Sequence, residues 1–413
     1  MGRLLQINPV LRTNTSTGRI VREIGELAKE AGWESYVAYS RGRDGLNLPC
    51  NLIKVPVGSR LSVAWHGVLT RLFDRHGEGS RLATRRFIKD IERINPDIIH
   101  IHNVHGYFLN YRMFLEWLSR CGKPVVWTVH DCWMYTGHCY YYTAVGCDRW
   151  ETLCHHCPQR KEFPRSIFFD RSSQAYRNKS VAFTSIPRNL LTVVPVSGWL
   201  RDEMSRSFMK DCRFKVIRNG IDLSVFRPAD ATAVRREYAL GERHVILGVA
   251  SIWSREKGLD DFAALAGKID GASEVIVLVG VSDEQKKSLP GGIICIRRTS
   301  DVHQLAALYS SATAFVNPTW QDNYPTVNLE AISCGTPVVT YRTGGSPESV
   351  VEGETGTVVE RGNVNGLLEA VRAFEKADRE ALRRRCREYA EANFDKQERY
   401  REYLKLYEDI AIG

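Results

Sequence analysis

Two carboxylates, Asp322 and Glu330, frame the stretch of this 413-residue chain best suited to chemistry. Between them run Asn323, Tyr324, Pro325, Thr326 and Val327, after an apolar run ending at Val316 and before the stop at Gly335. That order predicts a strand, a polar loop and a helix. Proline suits the first turn of a helix, where N–H groups lack internal partners. Such bare amides, at the positive end of the helix dipole, favour phosphate, so Thr326 and Val327 are candidate phosphate-binding amides. A carboxylate beside a phosphate is unfavourable unless it holds hydroxyls, as the acid that takes a ribose does in dinucleotide folds. Glu330 is therefore assigned to ribose hydroxyls and Asp322 to another polyol, such as a sugar. Arg255 and Lys257, after the apolar run 244–250, offer cations that answer a diphosphate and stabilise it as it departs. The same residues would also make an ordinary strand–loop–helix with surface acids and a solvated cation pair.

Two further groups carry chemistry. Residues 95–103 and 124–131 read as buried strands that end near His102 and His130, with His105 just beyond the first and Asp131 beside the last. In open α/β sheets ligands bind beyond the carboxyl ends of strands, although a strand-terminal histidine can be purely structural. Cys139, Cys147, Cys154 and Cys157, with His138, His155 and His156 among them, supply soft ligands for tetrahedral zinc in a closed structural site. Buried free thiols or a redox pair are the alternatives.

The elements that must hold these groups follow from periodicity. Arg3–Pro9 reads as a first strand, Leu11–Arg19 as a polar loop containing Gly18, and Ile20–Ala31 as a helix. Residues 59–89 place Val63, Ala64, Val68, Leu69, Leu72 and Phe73 at helical spacing beside Trp65, among Arg60, Arg71, Arg75, Arg81, Arg85, Arg86 and Lys89. Such a helix either packs on a core or lies on an anionic membrane face. The buried runs 244–251, 275–280 and 292–296 read as parallel strands.

A formal charge of +9 favours anionic partners without choosing among them. With 43% hydrophobic residues the chain reads as globular. No apolar run reaches the roughly 20 residues of a membrane span. The N-terminus reads as a strand and not a signal peptide, and the expectation is a cytoplasmic protein.

The spacing of Asp322 and Glu330, followed by Cys-Gly-Thr-Pro-Val-Val and Gly-Gly-Ser-Pro-Glu, resembles the donor site of family 4 retaining glycosyltransferases. The Cys-His-His-Cys-Pro region is similar to a bacterial exopolysaccharide subgroup of colanic-acid type. The resemblance implies the α/β GT-B fold: two Rossmann-like domains with parallel sheets facing across a cleft, and a C-terminal helix that crosses back. It divides the chain into an acceptor-side domain 1–212 with a Cys-rich insertion 132–165, an interdomain segment 213–228, a nucleotide-sugar domain 229–394 and a returning helix 395–413. It makes His130 the cleft histidine that contacts the donor sugar, and adds Gly18, Ser251, Asn323 and Tyr324 to the donor side. It departs from the family at Asp322, usually Glu, and at Arg255, which lies further along than the family's arginine near Ser251.

The implied activity is hexosyl transfer, with retention, from a nucleotide sugar (UDP first, GDP second) to a saccharide or lipid-linked acceptor. No catalytic metal is expected, because Arg255 and Lys257 replace it; contact with the inner membrane face is an expected partner, and nucleic acid is not. The rivals are a nucleotide-sugar epimerase of the same architecture and a zinc-containing nucleic-acid binder, whose binding would survive raised salt only with more than phosphate contacts.

Overall fold

The computed structural model describes residues 2–12, 15–41 and 50–412. The chain folds as two compact units, residues 1–217 with 400–413 and residues 218–399. Each is built on one parallel sheet.

The first sheet holds β1 (Arg3–Ile7), β2 (Glu34–Tyr39), β3 (Ile53–Pro56), β4 (Ile98–Ile101), β5 (Val125–Val129), β6 (Leu191–Pro195) and β7 (Arg213–Phe214), in the order β3-β2-β1-β4-β5-β6-β7. Residues of β1, β4, β5 and β6 are almost wholly buried, as strands covered by helices on both faces must be. The strand order reverses between β1 and β4, which leaves a crevice at their carboxyl ends. Because β7 belongs to this sheet, the segment 213–228 is shared between the two units.

The first helix, Ser16–Glu30, begins four residues before the expected Ile20, so Gly18 lies in its first turn and not in a loop. A Cβ there would crowd the Thr15 hydroxyl and the Arg12 carbonyl. Ile20 and Ile24 of this helix pack with Leu4, Ile98, Val126 and Val194 of the sheet. Tyr400, Tyr403 and Tyr407 of the last helix, Lys396–Ile412, complete the same core.

Helix Arg60–Phe73 departs from a core-packing element. Its buried residues are His66 and Thr70, whereas Trp65, Val68 and Phe73 are exposed. His66 explains the inversion. Its Nε2 accepts the N–H groups of Gly77 and Gly79 at 3.0 and 3.3 Å, so its Nδ1 donates to Ser80 Oγ at 3.0 Å. The polar face anchors the loop that follows and leaves the apolar residues outward.

The second unit contains β8 (His244–Val249), β9 (Glu274–Val279), β10 (Ile294–Ile296), β11 (Ala314–Asn317), β12 (Val338–Tyr341) and β13 (Gly356–Val359), ordered β10-β9-β8-β11-β12-β13. Its switch point lies between β8 and β11. No helix among the described residues is long and apolar enough to cross a membrane.

Candidate functional site

The loops after β8 and β11 meet at the switch point of the second sheet. The turn Arg255–Lys257 is held by Trp320 N–H and Thr319 Oγ1, which both donate to the Glu256 carbonyl, at 2.8 and 3.3 Å. Gly258 permits this approach: its φ is +80°, and a Cβ would strike the Pro318 carbonyl. The two loops thereby set Lys257 Nζ 2.7 Å from Asp322 Oδ2. Tyr324 N–H donates to the other oxygen of Asp322 at 3.3 Å.

From the far side, Gly344 and Gly345 close on the same loop. Gly345 N–H donates to the Asp322 carbonyl at 3.1 Å, and a Cβ on Gly344, whose φ is +55°, would run into that carbonyl. The close approach these glycines allow is therefore to the chain's own backbone.

The helix predicted after this loop spans Thr326–Ser333, with Pro325 as the residue before it. Among the described residues, the N–H groups of Thr326 and Val327 have no backbone or side-chain acceptor. Glu330, one turn on, is buried, and its Oε2 accepts the Tyr309 hydroxyl at 2.9 Å. Burial and the adjacent carboxylate push the Tyr309 phenol well above its ordinary value, so it remains a donor. Asn323 and Tyr324 are buried at the foot of the loop.

The structure thus gathers Lys257, Asp322, Asn323, Tyr324, Thr326, Val327 and Glu330 along one loop–helix junction. It does not gather Arg255, whose side chain is 87% exposed with its nearest acid, Asp260, at 3.9 Å. Ser251 is exposed after β8.

The sequence reading missed Asn328, which holds the junction in shape. Its Oδ1 accepts Asn317 Nδ2 at 2.8 Å, and its Nδ2 donates to Ser346 Oγ and Ser349 Oγ at 3.1 and 2.9 Å. A polar residue inside an otherwise apolar helical face was the available signal. Arg218, paired with Glu348 at 2.9 Å, was also missed.

In the first unit, His102, His105 and His130 do converge beyond β4 and β5. His105 Nε2 lies 2.8 Å from Asp131 Oδ2. Burial would raise the Asp131 carboxyl, but His105 and the Trp133 N–H hold it below its ordinary value. His102 bridges Gln6 and His130: its Nε2 is 3.1 Å from Gln6 Oε1, and its Nδ1 is 3.2 Å from His130 Nε2.

This chain fixes a tautomer. Gln6 Nε2 donates to the Val21 carbonyl at 2.8 Å, so Gln6 Oε1 is the acceptor toward His102. Burial keeps His102 neutral, so its Nδ1 carries a lone pair and His130 Nε2 must donate to it. His130 is neutral too, its pKa pushed down to about 4 by burial. Its Nδ1 is therefore the unprotonated ring nitrogen. Gln6 was not legible as part of this site.

Cys139, Cys147, Cys154 and Cys157 are free thiols around one small cavity. Cys154 Sγ accepts the Gly137 N–H at 3.1 Å. His138 Nδ1 is 3.0 Å from Asp74 Oδ1, while its Nε2 is buried without a partner beside the thiols. In this arrangement no group of three or more His, Cys, Asp or Glu residues is set to hold a metal ion among the described residues.

Comparison with known proteins returns two family descriptions: Glycosyltransferase Family 4 over residues 17–225, and Glycosyl transferases group 1 over residues 243–376. A protein assigned to colanic acid biosynthesis in Escherichia coli K12, glycosyl transferase WcaC, is 24% identical over 371 residues, covering 86% of this chain and 87% of its own. Alpha-maltose-1-phosphate synthase of Mycolicibacterium smegmatis is 29% identical across 40% of this chain and 48% of its own. Among solved structures, sucrose-phosphate synthase of Thermosynechococcus elongatus matches with a TM-score of 0.72 at 18% identity, over 99% of both chains. Anabaena HepE, solved with UDP-glucose, matches with a TM-score of 0.66 at 14% identity, over 99% of this chain and 100% of its own.

Proposed function

The chain belongs to glycosyltransferase family 4, and from that premise we propose that it moves a sugar from a nucleotide-sugar donor to a saccharide or lipid-linked saccharide in surface-polysaccharide assembly. The observation that carries the donor half is the Lys257–Asp322 pair at 2.7 Å, at a sheet's switch point beside two bare helix amides. In this reading the amides of Thr326 and Val327 take the diphosphate and Glu330 takes ribose hydroxyls. Lys257, already oriented by Asp322, offsets charge on the leaving diphosphate as the sugar–oxygen bond breaks. His130 contacts the donor sugar in this reading. Transfer with retention needs no protein nucleophile if the donor phosphate itself helps to take the acceptor proton.

The colanic-acid name of one relative and the UDP-glucose in one structural neighbour support the polysaccharide and UDP-sugar parts. Thermal-shift measurements with UDP-, GDP- and dTDP-sugars test the reading. A donor at 100 times its Kd should add about 2.7 kcal/mol of stability. Glu330→Gln, which still accepts the Tyr309 hydroxyl, should blunt that gain. No shift with any nucleotide, or an equal shift in the variant, rejects the site.

Two accompanying features belong to the proposal. Helix Arg60–Phe73, with Trp65 61% exposed, meets an anionic membrane face. The four thiols, moving together, close on a structural zinc ion, with His138 Nε2 a further candidate ligand. One zinc per purified chain, removed by chelator with a fall in Tm, is the expected result; metal-free protein with unchanged Tm excludes it.

A further inference from the structure

One buried carboxylate of the second unit has no role in the reading above. Asp261 lies in the first turn of helix Leu259–Ala266, four residues after Lys257. Among the described residues it has no cation within pairing distance, and its two oxygens are each taken by a neutral donor. Its Oδ2 accepts Trp320 Nε1–H at 2.8 Å, and its Oδ1 accepts the Tyr341 hydroxyl at 2.7 Å. Burial pushes the Tyr341 phenol above its ordinary value and Asp261 adds to that shift, so the hydroxyl stays a donor. The positive end of the helix dipole favours an ionised carboxyl here. A carboxylate held out of water without a counter-ion still costs stability, and an apolar side chain of similar size would pack there at lower cost. What the carboxylate provides is a fixed join.

The segments it joins are those that shape the Lys257–Asp322 pair. Asp261 itself continues from the turn Arg255–Lys257. Trp320, two residues before Asp322, also donates its backbone N–H to the Glu256 carbonyl at 2.8 Å, so ring and backbone both grip that turn. The Arg361 guanidinium lies over the indole, 5.3 Å from its centroid, and limits how far the ring can swing. Tyr341 ends β12, three residues before Gly344, where the chain closes on the Asp322 carbonyl. Asp322 is thus held from before by Trp320 and from behind by the turn after Tyr341. Both holds end on Asp261.

We propose that Asp261 is a positioning residue for sugar transfer: through Trp320 and Tyr341 its carboxylate sets Lys257 Nζ against Asp322 and so aims the cation at the departing diphosphate. It deepens the donor reading, on which it rests, by naming the group that places Lys257. Asp261 itself is buried and acts only through that pair.

The test has two readouts on the full-length protein. The first needs no substrate: acetylation of Lys257 by acetic anhydride, followed peptide by peptide by mass spectrometry. Asp322→Asn gives the rate for an unpaired Lys257. Asp261→Ala should raise the wild-type rate toward it by about two- to fivefold, the range a partly solvated pair is worth. Lys268, exposed on the same unit, should be unchanged.

The second readout is release of UDP from UDP-glucose with water as acceptor. Asp261→Ala should lower kcat by about 10–10²-fold, the scale of a misplaced group, while donor KM changes by less than about threefold. In a Lys257→Ala background the same substitution should cost less than about twofold. Asp261→Asn should stay within about threefold of wild type, because its Oδ1 still accepts from Trp320 and its Nδ2 donates to the Tyr341 oxygen. Trp320→Phe removes one donor, leaves the carboxylate in place and should lower kcat in the same direction; it replaces Asp261→Ala if circular dichroism shows that variant unfolded. Where UDP-glucose is not turned over, acetylation alone decides.

An unchanged Lys257 acetylation rate, a cost that persists without Lys257, or an Asp261→Asn variant as impaired as Asp261→Ala overturns the proposal and leaves Asp261 a packing residue. Those results leave the nucleotide-induced thermal shift and its blunting in Glu330→Gln untouched. The donor reading fails on that shift alone.

Discussion

Lys257→Ala strands the Asp322 carboxylate, whose side chain is 18% exposed, beside the amides for which we propose a diphosphate. We expect kcat/KM for sugar transfer to fall by about 10²–10³-fold, the scale of a lost transition-state charge contact. Tm should move little, because the pair is partly solvated and its net worth is small. Arg255→Ala should cost less than about tenfold in the same assay, since that side chain points to solvent; the reverse ranking would restore the role its sequence position suggested. At the other sheet, Gln6→Glu presents a carboxylate to His102 Nε2 and favours the charged imidazole. His102 Nδ1 would then donate, and His130 Nε2 would have to accept. The ¹⁵N shifts of His130 should interchange and donor KM should rise. Unchanged shifts would refute the relay. Asp322 and Glu330 were readable because short spacing and a flanking glycine mark a loop beside a helix start, and Lys257 because it follows a buried strand and precedes Gly258. Gln6 was not, because its partner His102 is 96 residues away and nothing local pairs them.

At the scale of elements, periodicity served best where strands were apolar but for their first residue, as in β9, and worst where polar residues open a helix. The Ser/Thr-rich stretch before Ile20 looks like a loop, yet the helix starts at Ser16 and carries Gly18 within it. Helix Arg60–Phe73 shows the opposite failure. Its apolar stripe is real, but His66 claims the inward face through hydrogen bonds to a loop that lies later in the chain, and Thr70, buried one turn on, donates back to the His66 carbonyl. The consequence is measurable. The protein should co-sediment with phosphatidylglycerol vesicles and not with phosphatidylcholine vesicles, less at high salt and less for Trp65→Ser. Equal binding to both lipids, or to neither, would return the helix to an ordinary surface. The helix Thr326–Ser333 was placed within a residue because Pro325 and Gly335 bracket it. The Asn328 hub inside it depends on serines that only the fold brings near.

At the scale of the whole molecule, the first unit stores a pH dependence. Burial pushes His66 and His130 down to about 4 and His100 to about 3, with His76 and His102 also far below their ordinary value. In an unfolded chain each would take a proton near pH 6.5, so between about pH 6.5 and 4 the unfolded state binds more protons. Stability is therefore whole above pH 6.5 and falls as acid is added, by up to about 1.4 kcal/mol per pH unit for each histidine. Urea midpoints followed by intrinsic fluorescence should decline across that window, and His100→Asn should flatten the decline; a pH-independent midpoint would contradict the burial. The two parallel sheets were legible from apolar runs and the returning last helix from the family resemblance, while the side chains that seal the first sheet against that helix were not. Tyr407 donates to His100 Nδ1 at 2.6 Å, and Thr128 donates to Tyr403 at 3.0 Å, from residues about three hundred positions later. During synthesis on the ribosome, then, the first sheet waits with an uncovered seam until the whole second unit has been translated. A premature stop anywhere in that interval leaves a half-finished product for chaperones and proteases to recognise, however well its own strands have paired.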